Sequence, residues 1–97
     1  MTDSADIIHE TSPGHGRYVV RMPDGAEAEM TYVVVGPELR DFNHTYVPDV
    51  FRGTGVAASL MNRAIADARD KGFRIVPTCS YVAAQFRRHP EWEDLKA

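Results

Sequence analysis

The second half of the chain carries apolar residues at helical spacing. Between residues 56 and 68 they recur every three or four positions, as on the buried face of an amphipathic helix: Val56, Ala57, Leu60, Met61, Ala64, Ile65 and Ala68. Gly72 directly follows Lys71, and helices often end on a glycine in the left-handed conformation. The pattern therefore predicts a helix from Val56 to the residues just before Gly72.

The first half of the chain instead reads as strands. Four stretches are rich in β-branched and aromatic residues or alternate in polarity, namely residues 5–10, 15–22, 26–35 and 38–47. Pro23-Asp24-Gly25 is a strong turn signal, because proline sets φ and glycine accepts a positive φ. Gly36-Pro37 breaks the chain again. The economical interpretation is an antiparallel meander.

Two further elements follow the first helix. Residues 73–76 read as a short fifth strand, and Ser80 is predicted to cap a second helix from Tyr81 to about His89. The order β-β-β-β-α-β-α predicts a single α+β domain over residues 1–97, a length that suits one modest core. A helix between parallel fourth and fifth strands would require a right-handed crossover.

Charge separates the two halves of the chain. The net charge is −3, which gives no support to a general nucleic-acid-binding role. Residues 1–47 hold eight acidic residues against three arginines, whereas residues 48–97 hold eight basic residues against six acidic ones. We therefore expect an anionic ligand to favour the second half and a cationic one the first.

Several classes of protein are excluded by what the chain contains. No apolar run approaches the roughly 18–20 residues needed to span a bilayer, so no membrane role is expected. The N-terminus lacks a signal-peptide pattern, and the single cysteine, Cys79, suits a reducing compartment, so we expect a cytoplasmic protein. One cysteine and four scattered histidines predict no metal site.

The segment from residue 45 to residue 60 carries the most chemical information. It reads as a strand, a proline-containing break, a glycine-rich turn and a helix. The first amides of a helix lack intrahelical acceptors, and Gly53, Gly55 and Arg52 would let a phosphate approach the backbone beside a fixed cation. The alternative is that the glycines only make a tight turn. No Lys-Ser or Lys-Thr follows, which removes the nucleotide-hydrolase interpretation.

The same segment resembles the cofactor signature of the GCN5-related N-acetyltransferases, the GNAT superfamily. That signature, Q/R-x-x-G-x-G/A, is matched by Arg52, Gly55 and Ala57. Other residues resemble the small YjdJ-type acetyltransferase-like branch: His44, Thr45 and Val47 before the motif, and Pro77, Cys79, Tyr81 and Phe86 after it. The resemblance implies a minimal GNAT-like fold, in which the meander precedes a β-α-β-α cofactor-binding half.

The resemblance also implies acetyl-CoA, or coenzyme A, as cofactor. Its pyrophosphate would lie on the loop that leads into the helix, formed by Arg52, Gly53, Thr54, Gly55, Val56 and Ala57. The pantetheine arm would run beside the strand ending at Val47, where a backbone amide would polarise the thioester carbonyl. The thioester would lie near Cys79.

Three side chains are candidates for catalysis. His44 is the natural proton acceptor, since histidine changes charge near neutral pH, or it simply bonds across the sheet. Strand alternation places it on one face with Phe42 and Tyr46. Cys79 lines the pocket, accepts the acetyl group as a thiolate, or is a small buried hydrophobe. Tyr81 either protonates the leaving thiolate or only packs against neighbouring residues.

The sequence indicates less about the acceptor than about the cofactor site. Typical members carry two helices between their first strands that wall the acceptor pocket, and this chain turns directly from strand to strand. An amine on a cationic protein or a polyamine would suit the acidic first half. Three functions stay open. The protein transfers acetyl groups by direct attack, binds coenzyme A without turnover, or is an α+β interaction or RNA-binding module.

Remaining residues receive structural interpretations. His9, His15 and His89 are predicted to lie at the surface. Arg87-Arg88 could reach the cofactor's phosphates or an RNA backbone, but a solvated helix face is the favoured interpretation. Trp92 is predicted to attach the C-terminal tail to the sheet by burying its ring.

Overall fold

The computed structural model describes residues 7–97, which form one five-stranded sheet and two α-helices. The elements are β1 (Ile8–Ser12), β2 (His15–Arg21), β3 (Glu27–Gly36), β4 (Leu39–Tyr46), α1 (Val56–Lys71), β5 (Arg74–Val76) and α2 (Ser80–Arg88), with 3-10 helices at Asp49–Phe51 and Pro90–Leu95. None of the helices in this part of the chain combines the length and the apolar character that a membrane span requires.

The sheet keeps the order of the chain, β1-β2-β3-β4-β5. The first four strands pair antiparallel, as predicted for a meander, and β5 lies parallel to β4. Parallel neighbours need a crossover connection, and α1 supplies it. The predicted α+β architecture and its element order are confirmed.

The core lies between one face of the sheet and the helices. The apolar stripe of α1 is buried as predicted, apart from Ala57, which is half-buried: Val56, Leu60, Met61, Ala64, Ile65 and Ala68. Three rings from β2, β3 and β4 pack together beneath the helices, and Phe42 stacks on both Tyr18 and Tyr32. We call this side of the sheet the helix face and the opposite side the open face.

Two element boundaries differ from the sequence prediction. The first strand covers Ile8–Ser12 rather than residues 5–10, of which residues 5 and 6 lie outside the described part. The N-cap of α2 is Cys79 rather than Ser80. The backbone amide of Cys79 donates to the carbonyl of Phe42 at 2.9 Å, which holds Cys79 extended and lets the helix begin at the next residue.

The C-terminal segment packs differently from the prediction. Trp92 is buried, but against α2, where its ring meets Phe86 edge-to-face and stacks on His89 at 3.9 Å. His89 is thus no isolated surface residue, and it also lies 2.9 Å from a Glu91 carboxylate oxygen. The tail reaches the sheet through its backbone, because the amide of Ala97 donates to the carbonyl of Ile75.

His9, predicted to lie at the surface, instead joins a polar cluster under α1. Its ring stacks on Tyr18 at 4.3 Å, and its Nε2 lies 2.8 Å from the hydroxyl of Tyr32. The hydroxyl of Tyr18 donates to Asp67 of α1 at 2.7 Å. The cluster ties β1 to the helix layer.

The burial of His9 predicts a mildly acid-sensitive fold. Burial and then the charge of Lys71 lower the pKa of His9 from 6.5, although Asp67 opposes the shift. The folded protein therefore binds fewer protons here than the unfolded chain does in mild acid. We expect the free energy of unfolding contributed by this group to be fully present above pH 6.5, and to fall as pH drops through the folded pKa, by at most about 1.4 kcal/mol per pH unit.

Urea unfolding at pH 7.5, 6.0 and 5.0 measures this effect. His9→Gln should reduce the difference between these pH values, whereas His15→Gln, a change at an exposed residue of β2, should keep it. An unchanged pH dependence in His9→Gln would contradict the assignment. The carboxylate of Asp67 does not confuse the result, because Tyr18, Arg63 and Lys71 lower its pKa despite burial, and it titrates at more acid pH.

Candidate functional site

An open cleft lies where β4 ends and α1 begins. Its volume is about 370 Å³. Every residue that the sequence assigned to cofactor binding, except Thr54, lines it: Val47, Arg52, Gly53, Gly55, Val56 and Ala57. The opposite wall comes from α2. The loop and the second helix, which are distant in sequence, thus face each other across one cavity.

The backbone of the loop explains its two glycines. Gly53 and Gly55 both have a φ of 78°, in the left-handed region that side chains with a Cβ adopt at a cost. A Cβ added at either position would meet no atom within 4 Å. The glycines are therefore needed for the backbone conformation, and the space above them is open to a ligand.

Thr54 organises the loop instead of lining the cleft. Its hydroxyl donates to the carbonyl of Phe51 at 2.5 Å and accepts from the amide of Val56 at 3.3 Å. The first intrahelical bond of α1 runs from the amide of Ser59 to the carbonyl of Gly55. The amides of Ala57 and Ala58 precede it and have no intrahelical acceptor, as expected for an anion-binding helix start.

Two guanidinium groups flank the cleft. Arg52 lies on the loop with 81% of its side chain exposed and pairs with Asp49 at 2.9 Å. Arg88 belongs to the last turn of α2 and also lines the cleft. Within residues 7–97, no carboxylate forms an ion pair with Arg88. Arg88 is exposed, as predicted for a solvated helix face, and its charge is also available to the cleft.

The β4 strand offers a free edge beside the cleft. It pairs with β5 over three residues, Leu39 to Asp41, and the amide of Cys79 adds one more bond, to the carbonyl of Phe42. Beyond Phe42, the described part of the chain pairs β4 with β3 alone. The backbone from Asn43 to Tyr46 can therefore accept an extended ligand as an added strand.

A bulge in β4 changes which face its side chains occupy. Tyr32 pairs with Phe42 and Thr31 with His44, so Asn43 is left without an opposing residue. Phe42 is fully buried on the helix face, whereas His44 and Tyr46 lie on the open face. The prediction that Phe42, His44 and Tyr46 share one face is wrong, because alternation along a single strand cannot reveal an extra residue.

On the open face, His44 approaches an ion-pair network. Its Nε2 lies 3.4 Å from Glu29 Oε2, and 54% of the His44 side chain is exposed. The other oxygen of Glu29 accepts from Arg17 at 2.8 Å. Further pairs connect Arg17 and Arg21 to the remaining carboxylates of the network, Glu10 and Glu27.

Cys79 and Tyr81 lie on the other side of β4 from His44. The thiol of Cys79 is half-buried and donates to the hydroxyl of Thr45 at 3.4 Å. His44 projects from the opposite face, so the two residues do not form a nucleophile–base pair. Tyr81 lines the cleft, and burial raises its pKa, with Cys79 adding to the shift and Arg88 opposing it. The Tyr81 hydroxyl is therefore protonated at neutral pH.

Gln85 and Glu29 lie at or near this site, and neither is predicted from the sequence. Gln85 shares the cleft wall with Tyr81 and Arg88. The positions of Gln85 and Arg88, four and seven residues after Tyr81, are the spacing of one helix face, so this signal is present in the sequence. Glu29 gave no such signal, because its contact with His44 depends on the register between β3 and β4.

The meander, the crossover helix and the glycine loop define an α+β protein with an open cleft at the N-terminus of its first helix. The model of the GCN5-related N-acetyl-transferase family matches residues 17–95, and the chain belongs to this family. Protein NATD1 of Xenopus tropicalis is 33% identical over 91 residues, which cover 93% of this chain and 84% of that protein.

Two further comparisons complete this picture. Protein NATD1 of Bos taurus is 33% identical over 63 residues, a match covering 65% of this chain but only 56% of the length of that protein. The solution structure of a GCN5-like candidate N-acetyltransferase from Staphylococcus aureus superposes with a TM-score of 0.72 at 21% identity, covering 96% of this chain and 90% of that one. This structural likeness shows the fold.

Proposed function

We propose that the protein binds acetyl-CoA in the cleft and transfers the acetyl group to an amine by direct attack. The observation that carries the proposal is the convergence of four features on one cavity: a left-handed glycine loop, a helix N-terminus, the cation of Arg88 and the edge of β4 that is free within residues 7–97. Together they match the phosphates and the amide-bearing pantetheine arm of coenzyme A.

Each end of the ligand has a counterpart in the chain. The loop from Arg52 to Ala57 would hold the pyrophosphate through the amides of Gly53, Gly55 and Ala57, with the guanidinium groups of Arg52 and Arg88 on either side. The amides of Arg52, Thr54 and Val56 already donate within the loop. The backbone of β4 up to Val47 would pair with the pantetheine arm. The cofactor supplies an acetyl group activated as a thioester.

The side chains would divide the proton transfers between the two faces of β4. A lysine-like amine has an ordinary pKa of about 10.4, so it needs a proton acceptor to attack at neutral pH. His44 would take the proton that the amine loses as the new carbon–nitrogen bond forms. As the carbon–sulfur bond breaks, Tyr81 would give its proton to the leaving sulfur. Cys79 would line the thioester pocket.

Substrate class, compartment and domain extent belong to the same proposal. The acceptor would be an amine on a cationic protein or a polyamine, because acidic residues concentrate in residues 1–47. A cytoplasmic location would keep the single cysteine reduced. Residues 1–97 would act as one domain, since one core cluster extends from Ile7 to Leu95.

A coenzyme A-binding module with little turnover is the second candidate. The observation that favours it is the exposure of His44, since more than half of this side chain faces solvent. Tight binding of acetyl-CoA without release of free thiol against a panel of amines would identify this function. Absence of acetyl-CoA binding, with a steeply salt-dependent affinity for RNA, would contradict both candidates.

Calorimetric titration of acetyl-CoA into Arg88→Ala and Arg87→Ala tests the cleft wall. Arg88→Ala should bind about 10-fold more weakly, because a charge-assisted contact to phosphate contributes on the order of 1.5 kcal/mol. Arg87 is exposed and does not line the cleft, so Arg87→Ala should bind as the wild type does. Equal affinities in the two variants would remove Arg88 from the site.

A further inference from the structure

The Glu29–His44 contact joins two strands on the open face of the sheet. Glu29 pairs in register with Tyr46 and Thr31 with His44, so Glu29 and His44 are diagonal neighbours with side chains on the same face. Their closest atoms, Glu29 Oε2 and His44 Nε2, are 3.4 Å apart. We propose that Glu29 is a positioning residue that orients His44 as proton acceptor, and that the amine reaches the thioester from the open face; this inference rests on the proposed function.

Glu29 is the better fixed member of the pair. Its side chain is 24% exposed, against 54% for His44. Arg17 Nη1 donates to Glu29 Oε1 at 2.8 Å, which leaves Oε2 for the histidine. A carboxylate anchored in this way would orient the His44 ring, which is otherwise more than half exposed to solvent.

The position of the carboxylate also selects the basic atom. An ionised carboxylate only accepts hydrogen bonds, so it favours the tautomer that carries the proton on Nε2. The lone pair of the neutral ring is then on Nδ1, and Nδ1 is the atom that takes the proton of the amine. The contact therefore has a measurable consequence, namely the identity of the ring nitrogen that carries the proton.

The open face has room for the acceptor beside this pair. A cavity of about 450 Å³ lies at the end of β4, and its walls include Glu27, Glu29, Tyr46 and Pro48. Val47, which lines the proposed cofactor cleft, stands between two of these residues in the chain. Because β4 has a free edge beyond Phe42 in the described structure, β5 does not separate this cavity from the proposed thioester position.

The experiment compares Glu29→Gln with Glu10→Gln. Both changes remove a carboxylate that pairs with Arg17, but of the two carboxylates only that of Glu29 contacts His44 and lines the proposed acceptor cavity. Long-range ¹H–¹⁵N NMR should show the Nε2–H tautomer of His44 in the wild type and in Glu10→Gln, and a mixture of tautomers in Glu29→Gln. A wild-type Nδ1–H tautomer would overturn the inference.

Kinetics with saturating acetyl-CoA test the effect of Glu29 on the rate of acetyl transfer. With spermidine and with a lysine-containing peptide, we expect kcat for thiol release to fall about 10-fold in Glu29→Gln, to recover in part in Glu29→Asp, and to be unchanged in Glu10→Gln. The calorimetric Kd for acetyl-CoA should not change. Combined with His44→Ala, Glu29→Gln should cause no further loss, because it acts through His44.

The two levels of the proposal fail in different ways. No acetyl-CoA binding, or no thiol release by the wild type with either amine, contradicts the proposed function itself. An active wild type in which Glu29→Gln behaves as Glu10→Gln, or in which the losses from Glu29→Gln and His44→Ala add, contradicts only the role of Glu29. Thermal unfolding of each variant identifies any loss that comes from the fold.

Discussion

Replacement of Gly55 by tryptophan is expected to weaken acetyl-CoA binding at least 100-fold, whereas the same replacement at Gly72 leaves binding intact. Both glycines have a φ of 78° and flank α1, one as N-cap and the other as C-cap. A Cβ at either position meets no atom within 4 Å. The two variants therefore share the backbone strain, roughly 1–2 kcal/mol, and differ in where the indole projects.

The difference lies in the ligand cleft. Gly55 lines it, so the indole would occupy the space assigned to the pyrophosphate. A 100-fold loss corresponds to about 2.7 kcal/mol of binding free energy. Titration of acetyl-CoA and of desulfo-CoA into wild type, Gly55→Trp and Gly72→Trp measures the effect, with micromolar-range binding expected for the wild type. Undiminished binding in Gly55→Trp would contradict the proposed phosphate site.

The second large effect is expected from His44→Ala. If His44 accepts the proton of the amine, its removal should lower kcat about 100-fold, at the lower end of what general base catalysis contributes. The affinity for acetyl-CoA should stay the same, because His44 lies on the open face and does not line the cleft.

Cys79→Ser is the matched comparison for this prediction. The structure gives Cys79 a contact with Thr45 but none with His44, so direct attack should continue within about threefold of the wild-type rate. Thiol release with spermidine or a lysine-containing peptide measures both variants. An inactive Cys79→Ser beside an active His44→Ala would instead indicate an acyl-cysteine route.

Features that depend on neighbouring residues could be predicted from the sequence. The stripe of α1, its end at Gly72 and the glycine loop before it follow from helical spacing and from the backbone freedom of glycine. The strand order of the meander follows from the short turns between its strands. The family, too, could be recognised from Arg52, Gly55 and Ala57 with the residues around them.

Errors arose where distant segments meet. His9 was assigned to the surface because its partners Tyr32 and Asp67 are 23 and 58 positions away in the chain. Trp92 was assigned to the sheet, whereas the turn at Pro90 folds its ring back onto α2. Neither contact follows from local spacing, since each depends on how complete elements pack.

The division between sequence and tertiary structure is clearest on β4. Local spacing and composition by themselves determined a strand, a glycine loop and a helix in that order, because backbone preferences act within a few residues. Only the tertiary structure decided that a bulge at Asn43 turns His44 away from Phe42, that Glu29 meets it across the register, and that Arg88 faces the loop. These arrangements depend on strand register and helix packing, which join residues far apart in the chain.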